Sequence, residues 1–271
     1  MLAKHAIGFA VFAISCHALG ADLPAVEDPD ALLGRIRARV AEHLAQLPNY
    51  TCHEVIDRFG RALNSPSLYR QDRVELEVAF VGHRELFARP GASSFEEESI
   101  SKMVSTGTIG NGVFGVHAEA IFSGNAATFK FRGADHKDGH RSFRYDFEVP
   151  QEKSHFLVRH NSAEGIVGYK GSFWVDAETL DLVELKLKAD HMPSYLGLSM
   201  VEETMHYKLV RIRDSDFLLP SKAEHAVIEQ PGFYYLNVIA LEHCREFTGQ
   251  STVKYGGEAS DTPSGAASPD R

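Results

Sequence analysis

The densest set of potential ligands in the chain is Asp135-His136-Lys137-Asp138-Gly139-His140, with two acids and two histidines in six residues. Carboxylate and imidazole groups are what borderline divalent metals take. The same residues make a good hairpin turn, because Asp138-Gly139 accepts positive φ and the strand-like runs TFKFR and RSFRYDFEV flank it. The run itself shows no closed ligand set, so the expectation is a solvated turn and no bound metal. The histidines at 43, 53, 83, 117, 155, 160, 191, 206, 225 and 243 have no metal spacing such as H-E-x-x-H. Gly110-Asn111-Gly112-Val113-Phe114-Gly115 spells the G-x-G-x-x-G of a pyrophosphate cradle. That cradle needs a strand before it and a parallel crossover around it, and neither is readable here. A connector between helices is expected, and no cofactor. There is no G-x-S-x-G elbow and no Cys-His arrangement readable from spacing, so no catalytic residue is assigned. Glu96-Glu97-Glu98 suits a helix start and a solvated face. Asn49-Tyr50-Thr51 is a glycosylation sequon, meaningful only in a eukaryotic secretory route.

The elements around these residues are mostly strands. Val74, Leu76, Val78 and Phe80 alternate with Glu75, Glu77 and Ala79. Phe143, Tyr145, Phe147 and Val149 alternate with Ser142, Arg144, Asp146 and Glu148, and Val183, Leu185, Leu187 and Ala189 alternate with Glu184, Lys186 and Lys188. Period-two patterns of this kind predict antiparallel strands with one apolar face. Further strand-like runs lie at 50–59, 83–88, 126–132, 154–160, 165–175, 204–213, 217–229, 233–247 and 251–255, with hairpin signals at Asp138-Gly139 and Asp214-Ser215-Asp216. One helix precedes them. Asp28 caps it, Pro29 opens it, and Leu33, Ile36, Val40, Leu44 and Leu47 make its apolar stripe before Pro48 ends it. A helical excursion is expected at about 92–123. Strands do not alternate with helices, which excludes a doubly wound parallel fold. The expected fold is mainly β (α+β): a curved antiparallel sheet forming an open half-barrel, with the N-terminal helix and the helical insertion over its concave face.

Composition bounds the function. The chain has 271 residues, 44% of them hydrophobic, which suits a folded protein. A formal charge of −9 argues against a general nucleic-acid binder, which needs a basic face. Residues 1–20 read as a cleaved signal peptide, with Lys4, the apolar run Ala6–Ser15 and the small-x-small site Ala18-Leu19-Gly20. A buried N-terminal helix and a lipid anchor at Cys16 are the alternatives. No other stretch is apolar enough to cross a membrane, so the expected product is a periplasmic or secreted protein without a transmembrane segment. Residues 21–255 are expected to form a single β-rich domain, and 256–271 a disordered tail rich in Gly, Ser, Ala, Pro and Asp. Export leaves Cys52 and Cys244, which an oxidising compartment favours as a disulfide; two buried free thiols are the alternative.

The stretch Gly171-Ser-Phe-Trp-Val-Asp176-Ala-Glu-Thr179-Leu-Asp-Leu-Val-Glu-Leu185 resembles the hairpin of LolA-like and LolB-like lipoprotein carriers. There a strand ends in an aromatic-x-Asp-x-x-Thr turn. Asp176 and Thr179 can close such a turn with side-chain-to-backbone bonds. The leader, the helix before the first strand and the succession of long strands are similar too, over about residues 28–230. The resemblance implies a half-barrel that holds acyl chains, or peptides and lipids in related sensors. It implies a lipid or lipidated protein as partner, and after that an envelope protein. The expected hydrophobic cavity is lined by Val74, Leu76, Val78, Phe80, Phe129, Phe131, Phe143, Tyr145, Phe147, Phe173, Leu185 and Leu187, with Met103, Val113 and Phe114 as a lid. The alternatives are an envelope interaction or stress-sensor module with a packed core and no carried ligand, and a hydrolase whose residues meet only in space. Tyr145 falls on the apolar face of its strand, so its hydroxyl is expected to find a partner.

Overall fold

The computed structural model describes residues 28–82, 84–92, 95 and 116–247. The leader, the glycine-rich motif, the three lid residues, 251–255 and the tail lie outside them. Helix α1 spans Pro29–Gln46, and the Asp28 carboxylate accepts from the backbone N–H of Asp30 at 3.0 Å and Ala31 at 3.3 Å. That satisfies two of the donors a helix start leaves free. Its buried side chains are Leu32, Ile36 and Val40, with Leu33, Leu44 and Leu47 partly buried beside them. Leu32 is the member the expected stripe lacked.

The strands are β1 (Tyr50–Ala62), β2 (Tyr69–Val81), β3 (Arg84–Ala88), β4 (Thr128–Lys137), β5 (His140–Val149), β6 (Leu157–His160), β7 (Ala163–Ile166), β8 (Gly168–Asp176), β9 (Leu182–Asp190), β10 (Leu198–Ile212), β11 (Ser215–Glu229) and β12 (Phe233–Glu246). Helix α2 (Val116–Phe122) precedes β4 and is the described part of the expected helical excursion. Ten strands form one antiparallel sheet in the order β3-β2-β1-β12-β11-β10-β9-β8-β5-β4, and β6 and β7 pair separately. Among the described residues the sheet does not close, since β3 and β4 are its two edges. It is mainly β with an N-terminal helix, in keeping with an open half-barrel. Several boundaries differ from expectation: β4 runs on to Lys137, β6 begins only at Leu157, β10 begins already at Leu198, and two further differences have a visible cause. The run 165–175 divides at Val167, which is fully buried and donates its N–H to the Phe156 carbonyl, so that β7 leaves the main sheet. The turn expected at Asp214-Ser215-Asp216 contains only Arg213 and Asp214, with Ile212 already opposite Ser215. A two-residue hairpin needs positive φ, and Arg213 supplies it at 54°.

The turn after β8 forms as its residues suggest. Asp176 Oδ1 accepts from the N–H of Glu178 at 2.8 Å and of Thr179 at 3.0 Å, and Thr179 Oγ1 accepts from the Asp181 N–H. Gly171 is required where β8 meets β9. A Cβ there would lie 1.9 Å from the Lys186 carbonyl oxygen.

Cys52 and Cys244 form a disulfide across a sequence separation of 192 residues. It ties β1 to β12, the first and last of the described strands, which also pair along their length. Replacing both cysteines by alanine should lower stability by about 2–5 kcal/mol. Urea unfolding of oxidised wild type against the double variant measures this, and equal midpoints would contradict it.

Candidate functional site

The candidate site is the face of the sheet beneath α1 and α2. Strand alternation and register decide which residues share it. Ile56 faces Ile239, Ala223 faces both Ile239 and Met205, and Leu185 faces both Met205 and Phe173. Phe173 also faces Tyr145, and Tyr145 faces Phe131. This is one apolar row across eight strands.

All twelve expected cavity residues fall in a single core cluster on this face. Leu76, Val78, Phe80, Phe143, Tyr145, Phe147, Phe173, Leu185 and Leu187 are buried, and Val74, Phe129 and Phe131 are partly buried against them. They fill much of one another's space. Tyr145 stacks on Phe173 at 5.3 Å between centroids, Phe131 meets Tyr145 at 5.0 Å, and Phe122 of α2 meets Phe173 edge-on at 4.9 Å. The Tyr145 hydroxyl donates to the Pro29 carbonyl at 2.7 Å, the partner its register requires. Burial pushes that phenol up to about 12.

A small apolar space lies elsewhere on the face, between α1, α2 and β9–β11. Val40, His43, Leu44, Leu47, Ala118, Leu182, Tyr207, Leu218 and Pro220 line it, and its volume is about 30 Å³. That is about a tenth of the ~300 Å³ at the low end of small-molecule sites. The buried Tyr207 hydroxyl has no hydrogen-bond partner among the described residues.

Helix α1 is fastened at its rim by polar contacts. Asp181, in the turn between β8 and β9, accepts from Arg39 Nε at 2.8 Å and sits 2.6 Å from His43 Nε2. Burial alone would raise the Asp181 carboxyl, but hydrogen bonds from His43 and Arg39 overcome it and hold the group below the usual carboxylate range. Arg37 donates to the carbonyls of Phe122 at 3.0 Å and Gly124 at 2.6 Å, tying α1 to the end of α2.

A buried polar row crosses the same face beside the apolar one. Arg58 faces Asn237, His225 faces both Asn237 and Glu203, and all four are buried. Arg58 forks onto Asp72. Glu203 sits 2.7 Å from His117 Nε2 of α2 and 3.2 Å from His225 Nδ1. Burial alone would raise its carboxyl, but charge and hydrogen bonds from the two imidazoles hold it well below the usual range. Along β10 and β11 the row separates Met205 and Ala223, in the main core, from Val201 and Val227, in a second core under the β6–β7 hairpin. Glu54 differs from this row. One of its carboxylate oxygens has no partner among the described residues, and burial together with the Glu85 charge pushes its carboxyl up to about 8.

Sequence reasoning missed Glu54, Arg58, His117, Glu203, His225 and Asn237. Glu54 and Arg58 carried a signal, being in phase with Cys52 and Ile56 along β1. The others meet only in space.

No family model and no curated protein matches the chain. Solved structures do. A LolA superfamily protein from Nitrosomonas europaea is 13% identical, covers 80% of this chain and 94% of its own, and has a TM-score of 0.38. A putative outer membrane lipoprotein-sorting protein domain from Vibrio parahaemolyticus is 10% identical over 81% and 95%, with a TM-score of 0.40. A DUF1329 family protein from Desulfovibrio piger is 10% identical over 83% and 95%, with a TM-score of 0.41. Among the described residues, no helix is long and apolar enough to cross a membrane.

Glu54 gives the face a pH signature. Its carboxyl ionises near 4.5 in the unfolded chain and near 8 in the folded one. The folded state therefore holds this proton longer, and stability falls as pH rises from about 4.5 to 8. Glu54→Gln should remove that slope, leaving stability near pH 4 little changed and raising it by on the order of a few kcal/mol at pH 8. Urea titrations of both proteins at the two pH values check this, and parallel pH profiles would refute it.

Proposed function

We propose that this is an exported, non-enzymatic envelope protein that holds an acyl chain, free or carried by a lipidated protein, against its sheet, with α1 as the displaceable cover. The observation that carries the reading is how α1 is held. Its apolar stripe lies on a continuous apolar floor, while Arg37, Arg39 and His43 fasten its edge through contacts that can open and reform. A space of about 30 Å³ admits no acyl chain while the helix is down, so loading requires α1 to lift. Lifting exposes Val40, Leu44 and Leu47, together with the Tyr207 hydroxyl, which could then meet an ester or carboxyl group. The twelve floor residues named from the sequence would line the path of the chain. The disulfide and the leader both suit an oxidising compartment outside the cytoplasm.

The smallness of the space favours a second reading, a packed interaction module that carries nothing. Titrating the full chain with a fluorescent fatty acid separates the two. The carrier reading expects saturable binding, and an organic extract of the purified protein that contains acyl chains. An empty extract and no saturation would leave the packed module. Asp181→Asn weakens the rim fastening and should tighten probe binding about threefold to tenfold, because less free energy goes into lifting the cover. Tyr207→Phe should raise stability by about 1 kcal/mol by removing an unsatisfied buried hydroxyl, while weakening probe binding. If both quantities rise together, the ligand does not use that hydroxyl.

A further inference from the structure

The opposite face of the same strands carries a cluster that the acyl reading does not use. His206 of β10 faces Glu184 of β9, Glu184 faces Trp174 of β8, and Trp174 faces Arg144 of β5. The tip of the β4–β5 hairpin reaches this row. Lys137 Nζ lies 4.7 Å from the Trp174 ring centroid and 2.7 Å from Glu184 Oε1, and Asp135 accepts from the indole N–H at 2.9 Å. These contacts bring Asp138, next in the turn, to His206, with Asp138 Oδ2 2.9 Å from Nδ1.

We propose that Asp138, Glu184 and His206 form a binding site for a divalent transition metal of the zinc class. One ligand atom from each lies within 4.8 Å of the other two. His206 Nδ1 is 2.9 Å from Asp138 Oδ2 and 3.3 Å from Glu184 Oε2. Ligands about 2.0–2.1 Å from a tetrahedral zinc stand roughly 3.3–3.4 Å from one another, so these edges need only small adjustment. The second indication is Glu184 itself. Its side chain is 3% exposed, and Oε2 makes no hydrogen bond among the described residues although it points at the imidazole. A buried carboxylate oxygen without a hydrogen bond is costly, and a cation between Glu184 and His206 would satisfy it.

The charges and the access agree. Lys137 offsets one of the two carboxylates, which leaves one net negative charge facing a ring nitrogen that can accept a metal once it gives up its proton. Asp138 is half exposed, so an ion can enter from solvent and a water can complete the coordination. One imidazole and two carboxylates suit zinc or manganese better than calcium, which takes a larger all-oxygen shell.

The test uses the full chain stripped with a chelator and carrying no affinity histidines, titrated with zinc chloride by calorimetry. One zinc per chain is expected, with Asp138→Asn and His206→Gln each weakening it at least tenfold. Asn keeps the turn, since it tolerates the positive φ of 49° that Asp138 adopts, so loss of binding in that variant is not loss of fold. His191→Gln, on a ring 81% exposed elsewhere, should bind zinc like the wild type. Cobalt(II) should give the visible absorption of a low-symmetry, near-tetrahedral ion in the wild type and lose it in both ligand variants. Zinc uptake that is absent with the metal in large excess, or equal in wild type and both ligand variants, overturns the proposal.

Discussion

A single sheet that does not close has one broad apolar face to keep from water, and every other element is arranged around that requirement. Ten strands about 4.8 Å apart span roughly 43 Å. An 18-residue helix is about 27 Å long and about 10 Å wide with its side chains. Helix α1 therefore covers part of the face and no more. Among the described residues, α2, the β6–β7 hairpin and the sheet's own rings cover more of it. Phe122 of α2 comes down onto Phe129 and Phe173, and Tyr145 lies flat on Phe173. Each buried aromatic of this kind contributes on the order of 2–3 kcal/mol. That gain favours filling a hollow wherever the chain supplies rings to fill it. A small apolar space is left at the rim of α1, lined by Val40, Leu44 and Leu47.

The polar row divides the face. Arg58, Asn237, His225 and Glu203 would each be costly to bury alone, and each is buried beside a neighbour able to satisfy it. Glu203 between two imidazoles is the centre of the row, and His117 brings α2 into it. The His117 ring also meets Phe156 edge-on at 5.6 Å, so α2 is anchored where the two apolar cores adjoin. Removing Glu203 would leave the buried His117 and His225 rings without the carboxylate between them, a larger loss than the row gains as a whole. Its value is to set the register of β10 against β11. A one-residue slip would turn Glu203 to the other face, away from His117 and His225.

Most of the fold was legible because it rests on local patterns. Alternation marked β2, β5 and β9, the Asp28-Pro29 pair marked the start of α1, and the Asp176-to-Thr179 turn closed as its side chains allow. Where the run 165–175 divided, the reason was tertiary. Val167 is as apolar as a mid-strand residue but serves as the joint between two sheets. The apolar floor was legible for the same reason as the strands. The polar groups on it were not, since His117 and Glu203 meet only after α2 folds back over β10. The outer cluster shows the limit most sharply. Asp138 reads as a turn residue and is one, and nothing near it in the chain points to His206, 68 residues away.

Adjacent residues on β8 and β9 serve opposite faces. Phe173 stacks on Tyr145 on one face while Trp174 donates its indole N–H to Asp135 on the other, and Leu185 is fully buried in the core beside Glu184, which is buried against the opposite face. One stretch of backbone thus positions both the apolar floor and the outer carboxylate. The contacts that hold them are separate, however. Helix α1 is fastened through Asp181, beyond the end of β8, and through the end of α2, while Glu184 is held by Lys137 and the hairpin tip. Lifting α1 breaks none of the contacts around Glu184. Events on the two faces could be coupled only through movement of the strands themselves, which the ladder of β8 with β9 resists on either side of its bulge after Trp174.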